Sequence, residues 1–438
     1  MKIAFYTLGC KVNAYETEAV MEKFLEKGYE IVDFDKYSDV YIINSCMVTN
    51  AGEKKSKQVI RRPIQINKDA IVIVMGCLSQ LKAEEMLEIE GVKIVLGTKN
   101  RDNLVDYLEN YLTHKVPLNL VSPLEKDESY DALSINDFHT HKRAFLKIQD
   151  GCNNFCTYCI IPYTRGRIRS KTKDIIMKEV NQLVEHGHIE VVLTGIHTGG
   201  YGEDLKDYSF LQLLKDLETV KGLERIRISS IEITELDDEI IETIKNSDKI
   251  VHHLHVPLQG GTDKILKKMN RKYTKCEYKA MIDKIKSQIP DVALTTDVIV
   301  GFPGETEEDF NESYDFIKSI GYQELHVFPF SKRKGTPADK MPEQVDGRIK
   351  RERVHKLLEL SEELLKQYVE KSINKNKLVI AEQVKEGYLV GHSRDYIAVK
   401  FKGDENLIGK EVKVKITGIN QPYNEGELIK ENPQAIQS

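Results

Sequence analysis

150-DGCNNFCTYCIIPYTRGRIRS-170 carries three cysteines, Cys152, Cys156 and Cys159, and no fourth Cys or His to close a tetrahedral site. A structural zinc site takes four such ligands. A cubane iron–sulfur cluster needs one external thiolate per iron, because bridging sulfides fill the rest of each iron's coordination. Three thiolates therefore leave one iron open. An open iron is a place to hold a small molecule and pass it an electron, so the spacing points to a catalytic rather than a structural centre.

Outward from this stretch, residues 141–370 repeat a strand–helix alternation. Strands are expected at AFLKIQ, IEVVLTG, RIRISSI, VHHLHVPL, ALTTDVIVG and ELHVFPF, with helices such as KDIIMKEVNQLVEHG and TEEDFNESYDFIKSIG between them. Right-handed crossovers bend such a series into a barrel. Six units fall short of the usual eight, which predicts a partial (β/α)6 barrel. The cysteine loop follows the first strand, at the carboxyl-end rim where catalytic loops sit.

Residues 1–112 alternate strand-like KIAFYTL, DVYIINS, AIVIVMG and KIVLG with amphipathic helices, the pattern of a flavodoxin- or Rossmann-like parallel sheet. Cys10, Cys46 and Cys77 each fall just past the end of one of these strands, 36 and 31 residues apart, or one βαβ unit apiece. Parallel strands end on one edge, so the thiols are expected to converge where open α/β sheets bind ligands. Residues 113–140 read as a linker, with little periodicity. Residues 371–438 carry short alternating strands (LVIAEQV, YLVGHS, YIAVKF, EVKVKITGI) broken by glycines, which predicts a small antiparallel β-barrel.

At 438 residues the chain is long enough for several domains. No apolar run reaches the ~18 residues of a membrane span, and MKIAFYTLGC lacks the order of a signal peptide, so a cytoplasmic protein with no membrane partner is expected. Seven cysteines then argue for metal or redox chemistry over disulfides. Cys276, on a helix without a partner, reads as an ordinary thiol. The net charge of −5 hides basic blocks: residues 54–68 hold six Lys or Arg and no acid, 141–173 eight against Asp150, and 264–279 seven against Glu277. Each is either a polyanion-facing surface or a solvated helix face.

Taken together, these residues resemble a known family. CNNFCTYC has the C-x3-C-x2-C spacing of radical S-adenosylmethionine enzymes, and the three-cysteine N-terminal sheet with a TRAM-like C-terminal barrel is similar to the methylthiotransferases. The resemblance implies that Cys152, Cys156 and Cys159 hold a [4Fe-4S] cluster whose open iron binds S-adenosyl-L-methionine. It further implies an auxiliary [4Fe-4S] cluster on Cys10, Cys46 and Cys77. TLGCKVNAYETE resembles the branch that acts on N6-threonylcarbamoyladenosine beside the tRNA anticodon. Gly261 and Thr262 in HVPLQGGTD depart from the small hydroxyl residues often found there. The C2–H bond of adenine is unactivated, so no side-chain base removes it; in this family a 5′-deoxyadenosyl radical does so. The methylthio group is then supplied at the auxiliary cluster, with a second S-adenosylmethionine as methyl donor. A low-potential donor such as flavodoxin or ferredoxin is implied.

Under this reading Tyr158 is a candidate to pack on the cofactor's adenine, Gly195 to admit backbone to its amino-acid end, and Gln259 and Asp297 to point into the barrel mouth, Asp297 as a catalytic candidate. The loop VIVGFPGET is a second rim segment able to approach the cofactor. Arg165, Arg167 and Arg333 are candidate phosphate contacts with tRNA. Two alternatives remain. One is a methylthiotransferase acting on isopentenyladenosine in tRNA or on a ribosomal-protein aspartate. The other is a non-catalytic iron–sulfur protein that binds RNA or carries electrons, which would favour fully ligated clusters and need no barrel.

Overall fold

In the computed structural model residues 1–125, 129–130 and 133–429 are described. Part of the expected linker and the last nine residues of the expected C-terminal unit lie outside them. The N-terminal sheet is wholly parallel. Its strands β1 (Lys2–Thr7), β2 (Glu30–Val32), β3 (Val40–Ser45), β4 (Ile71–Gly76), β5 (Val92–Val95) and β6 (Leu118–Asn119) run in the order β2-β1-β3-β4-β5-β6. VYIINS is buried along its whole length and IVIVMG at all but its first residue, as a central strand covered on both faces requires. Two edge strands were not legible in the sequence. β2 is three residues long, and β6 falls inside the stretch expected as a linker, where Ile94 and Val95 pair with Leu118 and Asn119.

The next unit opens with β7 (Ala144–Lys147), followed by a short hairpin, β8 (Gln149–Asp150) with β9 (Arg169–Ser170), which brackets the cysteine loop. β10 (Glu190–Thr194) lies between β7 and β11 (Arg225–Ile228), all parallel. A parallel bridge from Ile226 to Ile250 carries the sheet on to β12 (His253–His255), β13 (Ala293–Val300) and β14 (Glu324–Pro329). The result is an open barrel of six parallel strands in chain order, as the repeat predicts. Its core runs continuously into that of the N-terminal sheet through Tyr15, Ala19 and Phe24 of the helix Lys11–Glu26.

After the long helix Gly347–Glu370 come β15 (Asn376–Lys385), β16 (Tyr388–Ser393), β17 (Ala398–Phe401), β18 (Glu411–Gly418) and β19 (Asn424–Leu428), closed into a barrel in the order β15-β16-β17-β19-β18. The expectation of an antiparallel barrel holds for every pair but one: β17 and β19 run parallel, at Val399↔Asn424 and Lys400↔Glu425. This barrel is bolted to the larger one. Arg225 donates to the Leu378 carbonyl at 2.7 Å and the His392 carbonyl at 3.2 Å and pairs with Glu411, while Arg227 reaches the Arg394 carbonyl at 3.1 Å. Glu190 lies fully buried beneath both arginines, and although burial opposes its charge, Arg227, Arg143 and Arg225 pull its carboxyl down to about 2.

Candidate active site

The cysteine loop is shaped by backbone constraints before any ligand is considered. Gly151 has φ +76°, and a Cβ there would collide with the Arg167 carbonyl, so only glycine lets the chain leave β8 at this point. The loop then folds back on itself and on the barrel rim. Cys152 N–H donates to the Gly166 carbonyl at 3.1 Å, Thr157 N–H to the Met269 carbonyl at 3.1 Å, and Asn270 reaches the Phe155 carbonyl at 3.1 Å. Arg271, held by Glu232, directs an N–H at the Cys156 sulfur, 3.4 Å away, and the Asn154 amide sits 3.4 Å from the Cys152 sulfur.

The second thiol set is assembled by topology. Cys10 follows β1, Cys46 follows β3, and Cys77 opens the helix Cys77–Leu81 after β4, so the set straddles the point where strand order reverses, between β1 and β3. A Cβ on Gly9, whose φ is +105°, would lie 3.1 Å from the Cys46 sulfur, which shows how closely the first two turns approach. Arg165 Nε donates to the Cys77 sulfur at 3.3 Å.

The donor chemistry of both sets fits an iron–sulfur cluster. All six are free thiols. Burial pushes Cys152 and Cys159 up to about 12 and Cys46 up to about 11, so as bare thiols they stay protonated at neutral pH. Only a metal would hold them as thiolates, and the N–H donors aimed at sulfur are placed to offset the resulting charge. Among the described residues no three or more Cys, His, Asp or Glu converge on one ion position. A cube does not require that, because each of its ligands binds a different iron.

Between the two sets lies a buried ionic network. Glu16, wholly buried, meets Arg165 at 2.8 Å, Lys147 at 2.8 Å and Arg101 at 2.6 Å; Asp150 meets Lys147 at 2.7 Å and Arg165 at 3.0 Å. Burial would raise the Glu16 carboxyl, but Arg101, Arg165 and Lys147 outweigh it and hold it at about 2. The network ties the helix after Cys10 to both flanks of the cysteine loop.

Beside Cys10 the barrel mouth opens into a cavity of about 610 Å³. Alternate residues of each strand line it, because side chains two apart share a face: Phe145, Val192 and Thr194, Arg227, His253 and His255, Thr295 and Asp297, Glu324 and His326. Asp297 is there, at the barrel mouth where the sequence places it, and Gly195 also lines the cavity. A Cβ on Gly195 would press on Gln149 Oε1 at 2.8 Å, and His255 Nε2 lies 3.3 Å from the Asp297 carboxylate. Lys11, Arg143, the histidines and Tyr396 also line the cavity and are not singled out by the sequence. Tyr396 enters from the C-terminal barrel with φ +67°, stacked on His253 at 5.0 Å, with Arg227 4.8 Å and Arg143 5.2 Å from its ring centre. The signal existed: R-I-R-I, H-H-L-H and T-T-D-V put polar residues at every second position of strands that should be apolar inside.

Other candidates land elsewhere. Gln259, with φ +65°, lies outside the cavity lining; its N–H donates to the Asp297 carbonyl and its own carbonyl accepts from Ile299, both at 2.8 Å. Tyr158, inside the cysteine loop, packs with Ile265, Met269, Phe302 and Phe330 and does not line the cavity. The backbone of VIVGFPGET is tied down by its own side chains: Gly301 N–H donates to the Glu305 carboxylate, which Arg353 holds at 2.6 Å. Gly261 has no room for a side chain against Ser313, where a Cβ would lie 2.6 Å from Cα, and Thr262 caps the helix Asp263–Lys268, which accounts for both residues structurally. Two of the expected phosphate contacts are corrected. Arg165 is fully buried in the ionic network, and Arg333 is 3% exposed and paired with Glu53 at 2.8 Å, so neither guanidinium reaches a surface phosphate. Arg167 is exposed, 4.5 Å from the Phe155 ring centre. The basic blocks shrink likewise: Lys147, Arg165, Arg169 and Lys171 are interior, and Lys264 and Lys279 are matched by Asp309 and Asp283 at 2.6 Å.

An open six-stranded parallel barrel with a three-thiol loop after its first strand defines the class: residues 146–317 match the radical SAM superfamily, whose members use a [4Fe-4S] cluster and S-adenosylmethionine, and residues 2–97 match the family described as uncharacterized protein family UPF0004. The chain is 51% identical over 434 residues, 98% of its length and 96% of the relative's, to the threonylcarbamoyladenosine tRNA methylthiotransferase MtaB of Bacillus subtilis. It is 39% identical to the protein of that name from Aquifex aeolicus, over 95% of this chain and all of the relative. A tRNA-2-methylthio-N(6)-dimethylallyladenosine synthase of Thermoanaerobacter pseudethanolicus is 37% identical, over 97% of this chain and 92% of its own. Among solved structures, the radical S-adenosylmethionine methyltransferase TsrM of Kitasatospora setae superposes with a TM-score of 0.57 at 12% identity, over 77% of this chain and 74% of its own, a likeness of fold. The chain belongs to the methylthiotransferase family.

Proposed function

We propose that the protein transfers a methylthio group to C2 of N6-threonylcarbamoyladenosine beside the anticodon of tRNA. The observation that carries this reading is the position of Cys10: it belongs to the sheet-edge thiol set and lines the barrel cavity at the same time. A base held in that cavity faces the barrel mouth on one side and the sheet-edge set on the other. Cys152, Cys156 and Cys159 would hold the cluster that binds S-adenosylmethionine, and Cys10, Cys46 and Cys77 the auxiliary one. When bound, these groups supply the radical and the sulfur that no side chain can provide. The chain's own residues do the rest. Arg271 and Arg165 present N–H donors to Cys156 and Cys77, and the network around Glu16 fixes the distance between the two sets.

For tRNA, the helix Asn50–Ile60 and the turn after it present Lys54 and Arg61 along a groove of about 910 Å³, a surface suited to backbone phosphates, while Lys57 and Arg62 there are paired with Glu53 and Asp35. Reduction of the cluster requires a low-potential donor, for which a flavodoxin or ferredoxin is proposed. Among the described residues no helix is long and apolar enough to cross a membrane.

The test is mass spectrometry of tRNA nucleosides from cells lacking the gene and from cells in which it is restored. Loss and return of methylthiolated threonylcarbamoyladenosine alone is the expected result. An unchanged level of it, with loss of methylthio-isopentenyladenosine or of a modified ribosomal aspartate, would overturn the substrate and leave the two thiol sets standing.

A further inference from the structure

Three cations border the cavity, and their partners differ. Arg227 is spent on Glu190 at 2.9 Å and on carbonyls of the C-terminal barrel. Arg143 is paired with Glu382 at 3.0 Å. Lys11, the residue after Cys10, lines the cavity and is exposed, and among the described residues it has no carboxylate in ion-pairing distance and no hydrogen-bond acceptor on its ammonium group. Its electrostatic neighbours are Tyr396, Arg143, Arg227, Cys10, His253 and His326. A second observation comes from strand β12. His253 is 6% exposed, lines the same cavity, and neither ring nitrogen has a hydrogen-bond partner among the described residues. A buried imidazole with two idle nitrogens is costly unless something in the cavity engages it. The cavity acids do not: Asp297 is engaged by His255, and Glu324 stands on the far strand β14.

We propose that Lys11 and His253 form a carboxylate-binding subsite that reads the free acid of the amino-acid substituent on N6 of the target adenosine. The inference rests on the substrate proposed above. A threonylcarbamoyl group carries one carboxylate, and an isopentenyl group carries none and would leave both polar groups unpaired, a strong basis for rejection. The geometry also suits the reaction. On adenine, C6 and C2 flank N1 on one edge, so anchoring the N6 substituent beside Cys10 turns C2 toward the same thiol set. A backbone phosphate would satisfy Lys11 with the same charge chemistry, and the experiment separates the two.

Full-length, cluster-loaded protein is titrated without oxygen against three fluorescent anticodon stem-loops: one with threonylcarbamoyladenosine, one with its methyl ester, one with plain adenosine. Wild-type protein should bind the acid about ten- to a hundredfold tighter than the ester, the scale of one charge-assisted contact in a sheltered site. Lys11→Met should bind acid and ester alike, and Lys11→Arg should keep the preference. The wild-type acid and ester arms need no variant and stand even if Lys11→Met misfolds, which its iron content would report. A Lys11→Met protein that keeps the full acid-over-ester preference overturns the subsite, as does one that weakens all three RNAs equally, the mark of a phosphate contact. Wild-type preference for the modified loops over plain adenosine without acid-over-ester preference also overturns the subsite alone. No preference for either modified loop overturns the substrate itself.

Discussion

The two thiol sets reach similar ends by opposite routes. Cys152, Cys156 and Cys159 sit within eight residues on one loop, so their meeting is local and a single hairpin with one glycine fixes it. Cys10, Cys46 and Cys77 span 68 residues and meet only because three parallel strands end on one edge. A local set tolerates movement of the sheet; a topological set does not, and depends on whatever holds its strands in register. Here that support includes Arg165, whose guanidinium touches Cys77 while bonding Glu16 and Asp150. The loop set is thus the robust member, and the sheet set is the one that damage elsewhere should disturb.

The largest effect sharpening this contrast comes from the loop. Replacing Cys152, Cys156 and Cys159 by Ala should abolish cleavage of S-adenosylmethionine, measured as 5′-deoxyadenosine, and remove about half the iron. Next is the network. Glu16→Ala removes the carboxylate that Arg101, Arg165 and Lys147 share and leaves only Asp150 to Lys147 and Arg165, and loss of one member of a buried ion network costs about 3–5 kcal/mol in denaturant unfolding. It should also lower iron on the sheet set before the loop set. Equal loss from both would erase the distinction between robust and dependent sites.

A third effect concerns acid. Glu190 lies at about 2 in the folded protein against 4.5 when free, so its contribution is fully present above about pH 4.5. That contribution is lost as pH falls toward 2, because the unfolded chain binds the proton first. Docking of the C-terminal barrel, followed by limited proteolysis after helix Gly347–Glu370, should therefore hold from neutral to about pH 4.5 and weaken progressively from there toward pH 2, and Glu190→Gln should flatten that dependence. A barrel that stays docked down to pH 2 would contradict it. The smallest effect is at the rim. Arg167→Ala should weaken tRNA binding only a few-fold and reduce the slope of log affinity against log salt by about one, without changing which base is modified. An unaltered salt slope would remove Arg167 from the RNA contact.

Much of this was legible because the chain is locally consistent: each barrel strand expected from AFLKIQ through ELHVFPF forms, and each N-terminal cysteine falls after a strand end. What escaped was set by tertiary context. β6 is two residues in a segment with no periodicity, and it exists only because β5 offers a free edge. Arg165 and Arg333 look like surface cations in a one-dimensional charge count, and their acids, Glu16 and Glu53, are 149 and 280 residues away. Nothing in TLGCKVNAYETE marks Lys11; that no acid among the described residues pairs with it can be seen only once the cavity has walls. Tyr396 was invisible because it belongs to another barrel.

The most direct measurement is a paired assay of the Cys10, Cys46 and Cys77 to Ala triple variant, reconstituted without oxygen and given tRNA and a reductant. Iron should fall from about eight per chain to about four, 5′-deoxyadenosine should still form, and no methylthiolated nucleoside should appear. Full iron content, or methylthio product at the wild-type level, would contradict a second, sulfur-supplying centre at the sheet edge.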